Sequence, residues 1–152
     1  MARFLVTTAV FSAALAAGCL DNDGPDPGEQ IFESSLQQWN EDGPASYDMV
    51  LRRQTLGVNP DLRVVITVRN EIVTSRFYLG TDIPVSGDAA ALYPDVPGLF
   101  AFVREAMDAD PFLLSTAYDE LYGYPSEITL DLTAGSTSDN VIYTVEEFTP
   151  VE

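Results

Sequence analysis

Tyr118-Asp-Glu-Leu-Tyr-Gly-Tyr-Pro-Ser-Glu-Ile-Thr-Leu-Asp131 carries the most explicit folding instructions in the chain. Its first residues end one strand, its last residues form another, and a tight turn lies between. Gly123 supplies a positive φ without a Cβ clash, and Pro125 presets φ as the backbone becomes extended again. Ile128, Leu130 and Leu132 then alternate with Glu127, Thr129, Asp131 and Thr133, the period of a half-buried strand. The rings of Tyr118, Tyr122 and Tyr124 gather on or beside the turn, either as a hydrophobic lid over the sheet end or as a platform for a ligand.

On either side of this hairpin the same periods continue. Phe112 to Tyr118 forms the preceding strand, and residues 134–140 turn the chain into a last strand over Val141 to Phe148. Asp95 is placed to N-cap a helix through Leu99, Phe100, Val103 and Met107 to about Ala109, with Pro97 in its first turn. Gly80 to Tyr93, with Pro84, Gly87 and the alanines Ala89 to Ala91, reads as a long surface loop of the kind that often carries function. Before it, Tyr47, Met49 and Leu51 alternate with Asp48, Val50 and Arg52, and Leu56 to Asp61 reads as a loop. Leu62, Val64, Ile66 and Val68 oppose Arg63, Val65, Thr67 and Arg69. After a turn at Asn70-Glu71, Val73, Ser75, Phe77 and Leu79 alternate with Ile72, Thr74, Arg76 and Tyr78. Turns this short force antiparallel pairing.

A helix from Glu29 to about Asp42, with Ile31, Phe32, Leu36 and Trp39 near one face, opens the domain and stops at Gly43-Pro44. The order α-β-β-β-α-β-β-β predicts an α+β fold. It consists of an antiparallel sheet of about five to six strands with two helices packed on one face and the other face wet. The order hints at a doubled αβββ unit, without a repeat at the level of residues.

The N-terminus follows a different logic. Arg3, an apolar run from Phe4 to Ala17, and Gly18-Cys19 make a secretory signal too short to span a bilayer comfortably. Leu15-Ala-Ala-Gly-Cys19 resembles the bacterial lipobox, in which a peptidase cuts before a cysteine that is then acylated on its sulfur and its new amino group. Ala16 stands where the strict pattern has a larger aliphatic residue. Cys19 is the only cysteine, so lipidation accounts for an exported thiol that has no disulfide partner. Palmitate-type chains contribute about 0.8 kcal/mol per buried CH₂, enough together for a stable membrane anchor. The expected organisation is a lipoprotein signal peptide at 1–18, a lipidated cysteine and flexible tether at 19–28, and a single α+β domain at 29–152. Leu20 after Cys19, in place of aspartate, favours an outer-membrane address facing the periplasm in a Gram-negative host. In another envelope the address is the outer leaflet of the cell membrane.

Charge narrows the partners. The chain holds 24 acidic and 7 basic residues and no histidine, a net charge of −17. Such a surface repels nucleic acid and gains nothing by docking on anionic lipid. It suits solubility at a crowded surface or a salty medium, or else a cation or a basic partner. The absence of histidine and of any thiol besides Cys19 removes Ser–His–Asp and Cys–His catalysis and the usual transition-metal sites. No glycine-rich phosphate loop occurs, and Asp21, Asp23 and Asp26 do not follow an EF-hand. No catalytic residue, metal ligand or cofactor is assigned. The pairs Asp119-Glu120 and Glu146-Glu147 leave carboxylate acid–base chemistry open, and Asp139-Asn140 or Asp119-Glu120 leaves weak cation binding open.

Arg52, Arg63, Arg69 and Arg76 are expected on the wet face, with Glu127, Asp131 and Glu146 arriving from the second half. These charges either pair across strands, for a few tenths of a kcal/mol each, or the arginines meet an anionic partner. The candidate partner surface is Arg52, Arg69, Arg76, Tyr118, Asp119, Tyr124 and Asp131.

Tyr47, Val64-Val65-Ile66-Thr67-Val68-Arg69, Leu99-Phe100, Tyr118-Asp119 with Gly123-Tyr124-Pro125, Ile128-Thr129-Leu130-Asp131, and Tyr143-Thr144-Val145 with Phe148 together resemble a family of bacterial lipoproteins, domain of unknown function 6174. The resemblance covers about Trp39 to Phe148. Many members carry a Cys-x-Cys pair after the first strand, where this chain has Arg52-Arg53-Gln54-Thr55, so a redox or metal role for that pair does not carry over. The resemblance implies an exported α+β module and no particular chemistry. The expected function is a lipid-anchored cell-envelope protein that binds or interacts, through an envelope protein partner, without catalysis. The alternative is a carboxylate-dependent enzyme or a weak cation-binding protein acting on a small envelope ligand.

Overall fold

The chain runs through helix α1 (Pro27–Asp42), strands β1 (Tyr47–Thr55), β2 (Val58–Arg69) and β3 (Ile72–Tyr78), helices α2 (Asp88–Ala91) and α3 (Val96–Asp108), and strands β4 (Leu113–Tyr118), β5 (Pro125–Asp131) and β6 (Asn140–Pro150). This computed structural model describes residues 26–55, 58–136 and 140–151. The signal, Cys19 and the tether as far as Pro25 lie outside the described residues, as do Leu56, Gly57 and Asp139. The six strands form one open antiparallel sheet in the order β3-β2-β1-β6-β5-β4. Each half of the chain contributes a three-stranded meander, and the halves join where β1 pairs with β6. The α+β architecture and the element order expected from the sequence are the ones observed, with a short third helix added.

Both long helices pack on one face. Phe32 and Trp39 of α1 and Leu99, Phe100 and Val103 of α3 close over Tyr47, Met49, Leu51, Val64, Ile66, Val68, Ile128 and Tyr143. Burying each large side chain of this kind contributes about 1.5–3 kcal/mol. Asp95 caps α3 as expected, accepting from the Gly98 N–H at 3.1 Å, whereas Asp26 caps α1, accepting from the Gly28 N–H at 3.0 Å, so α1 starts at Pro27, inside the stretch expected as tether. The Tyr47 hydroxyl accepts from the Val96 N–H at 3.1 Å, which ties β1 to the start of α3.

Four local expectations change. β2 begins at Val58, so the segment expected as a loop over 56–61 is already strand from 58 onward. The expected loop from Gly80 to Tyr93 is folded: Asp88 to Ala91 form α2, and Ile83 to Val85 run along β3. A bulge at Thr67/Val68 inserts one residue between β2 and β3, which reverses the phase of β3. Arg76 and Tyr78 therefore pair with the inward residues Ile66 and Val64, while Phe77 pairs with Val65 and is 38% exposed. Ile31 leaves the apolar stripe of α1 and is 54% exposed.

The two sheet edges differ. Along β3, the Tyr78 N–H donates to the Ile83 carbonyl at 3.1 Å and the Val85 N–H to the Arg76 carbonyl at 2.9 Å, so this edge is covered. Among the described residues, β4 pairs only with β5.

Candidate functional site

The Tyr118–Asp131 stretch is a docking point for α1. The Asp119 N–H donates to the Tyr124 carbonyl at 2.9 Å, and the Asp119 carboxylate accepts from the N–H groups of Leu121 and Tyr122 at 3.0 and 2.8 Å. Gln38 of α1 donates to the carbonyls of Glu120 and Leu121 at 3.0 and 3.1 Å. Gly123 has φ +76°, and a Cβ there would lie 2.5 Å from the Ser35 carbonyl oxygen, so only glycine lets the helix come this close. Tyr124 stacks on Phe148 at 4.5 Å and meets Trp39 edge-on at 6.4 Å. Burial, reinforced by the Asp119 carboxylate, pushes the Tyr124 hydroxyl up to about 12. Asp131 accepts from the Thr133 N–H at 3.2 Å at the other end of β5. Tyr124 and Asp119 are thus held by the fold itself, and the four residues Tyr118, Asp119, Tyr124 and Asp131 do not surround one void.

The arginines divide between the faces. On the wet face Glu146 meets Arg63 at 2.7 Å and Arg52 at 3.8 Å, linking β6 to β1 and β2. Arg69 contacts Asp48 at 3.0 Å, and this hydrogen bond holds the Asp48 carboxyl below the usual range. Among the described residues Glu127 and Asp131 join no arginine. Arg76, expected beside Arg52 and Arg69, lies on the helix-covered side of the sheet, where its Nε donates to the Tyr93 carbonyl at 2.7 Å. The expected arginine surface is therefore not a single surface.

Tyr118 belongs to a different feature. A cleft of about 460 Å³ opens between the start of α1, the second half of α3 and β4. Its floor is Leu114, Thr116 and Tyr118, the alternate residues of β4 that pair with the inward positions Leu130, Ile128 and Pro125. Ile31 and Met107 give apolar walls, and Asp26, Glu29 and Asp108 give an acidic rim. Arg104 also lines it, hydrogen-bonded to Glu33, 3.8 Å from Glu29, and 4.3 Å above the Phe32 ring. Burial pushes the Tyr118 hydroxyl up, so at neutral pH it is an uncharged phenol able to donate a hydrogen bond.

Of the cleft, sequence reasoning singled out Tyr118 alone. Ile31 and Met107 read as helix-stripe residues in the sequence, but Ile31 is 54% exposed and Met107, packed against the core, is only partly buried. Among the described residues no three groups of the Asp, Glu, His or Cys type gather to hold a metal. Among the same residues no helix is long and apolar enough to cross a membrane.

No curated protein and no solved structure matches the chain. The model of a family of unknown function (DUF6174) matches residues 32–150, which include both long helices' buried residues and all six strands. Among the residues that resemble this family, Tyr47, Gly123-Tyr124-Pro125, Tyr143 and Phe148 help to lock helices to sheet, and on the match over residues 32–150 the chain belongs to the DUF6174 family.

Proposed function

We propose that this chain is a lipid-anchored cell-envelope binding module, exported by its signal peptide, held by palmitate-type acylation at Cys19, and working without catalysis. The cleft beside β4 carries the reading. It combines apolar walls, a neutral phenol and an acidic rim, a set suited to recognition. Among the described residues no nucleophile paired with a base lines it. Asp26 on its rim follows Cys19 by about seven residues, a reach of about 25 Å when fully extended. The cleft would thus work close to the anchoring leaflet, against another envelope component. In a Gram-negative host this is the periplasmic side of the outer membrane.

The test uses the full-length chain in an envelope-bearing host, fed an alkyne-tagged fatty acid and carrying a photo-crosslinking residue at Thr116 or, as control, at Ile72. Label that is lost in Cys19→Ser, with a protein captured from Thr116 alone, supports the reading. A chain without label, or the same capture from both positions, contradicts it.

A further inference from the structure

We propose that β4 is a strand-addition site: its free edge takes an extended, lysine- or arginine-bearing segment of a partner protein as a seventh strand. This rests on the reading of the cleft as a binding site and names what enters it. Among the described residues the outward edge of β4 has no partner, although an antiparallel strand leaves every second N–H and C=O pointing away from its neighbour. Leu113 to Tyr118 contains neither charge nor proline, the devices that usually blunt an edge. The cleft lies between this edge strand and the two long helices. The residues of β4 that face the helices form the cleft floor, and α1 and α3 supply its walls.

An added strand would continue the sheet beside that cleft. Alternate side chains would enter the cleft beside Ile31 and Met107, while main-chain bonds to β4 supply affinity. Leu113, on the opposite face of β4, and Phe112 before it are 45% and 67% exposed and offer further apolar surface beside an added strand.

Charge selects the occupant. Asp26, Glu29 and Asp108 line the cleft, Arg104 is already engaged by Glu33 and Glu29, and the whole chain carries −17. A second copy brings the same negative charge to the same edge, whereas a basic segment is attracted.

The probe is a seven-residue peptide alternating valine with lysine and threonine, compared with its glutamate counterpart and with the basic peptide N-methylated throughout. Each is added to the chain in detergent micelles, with amide hydrogen exchange as the readout. The basic peptide is expected to slow exchange of the outward amides of β4 by at least about tenfold, and the other two to leave it unchanged. Asp108→Lys is expected to weaken the basic peptide about tenfold at unchanged Tm. Equal protection by acidic and basic peptides, protection only elsewhere, or an intact response to the N-methylated peptide overturns the proposal. So does light scattering that shows two copies already paired through β4. If none of the peptides protects β4 while Thr116 still crosslinks a partner in cells, strand addition fails and the binding reading stands. If both fail, both fall.

Discussion

At β3 the chain folds back on itself: Ile83 and Val85 bond to Tyr78 and Arg76, and Val85 is buried beneath the turn. At β4, on the opposite edge of the same sheet, no described segment does this, and the helices stand off to leave a cleft of about 460 Å³. Both edges face the same risk of pairing with another chain. Covering an edge takes only a short segment, as β3 demonstrates, and among the described residues β4 has none. The charge of −17 makes that tolerable, because copies of the chain repel one another before their edges can meet.

The open side depends on how α1 is seated, and Gly123→Ala attacks that seat. The new Cβ meets the Ser35 carbonyl in a left-handed backbone. The expected loss is about 2–5 kcal/mol in a denaturant titration. A loss below about 0.5 kcal/mol would mean that the turn does not position the helix. On the covered side, Val85→Ala should lower stability by about 1–2.5 kcal/mol. It should also raise the tendency to associate in light scattering, because it loosens the segment over β3.

The pair Asp48–Arg69 sits on the wet face near the covered edge. The carboxyl's pKa is lowered on folding, so its contribution is present above the usual carboxylate pKa and lost as pH falls through the lower folded value. Since both side chains are more than a third exposed, the effect is below about 1 kcal/mol. Arg69→Ala should flatten the acid limb of the stability curve by that amount. Ser115→Lys, on the exposed outer side of β4, should change stability by less than about 0.5 kcal/mol. It should nonetheless block the Thr116 crosslink, because a lysine on an open edge disfavours strand pairing.

The strands were legible where alternation is clean: Leu62, Val64, Ile66 and Val68 announce one inward face, and all four point there. Alternation says nothing of an inserted residue. The bulge opposite Thr67/Val68 therefore moved Arg76 and Phe77 to faces opposite to those expected. The short helix at Asp88 to Ala91 had a signal in its alanine run, the best helix formers available. The cover over β3 had none, since it is made by backbone groups that no side-chain pattern records. The hairpin motif was legible as structure: its glycine and tyrosine set helix against sheet. The cleft was not, because it is made where residues of two helices and an edge strand far apart in sequence meet, and only Tyr118 carried it in the sequence.

Hydrogen exchange on the chain without any peptide tests the central claim most directly, by comparing the two edges within one molecule. The account predicts that the Tyr78 and Val85 amides exchange slowly, while the outward amides of β4 exchange close to the rate of an open chain. Outward β4 amides as protected as Tyr78 and Val85 would mean that this edge is already closed, and the cleft would lose its claim to a partner strand.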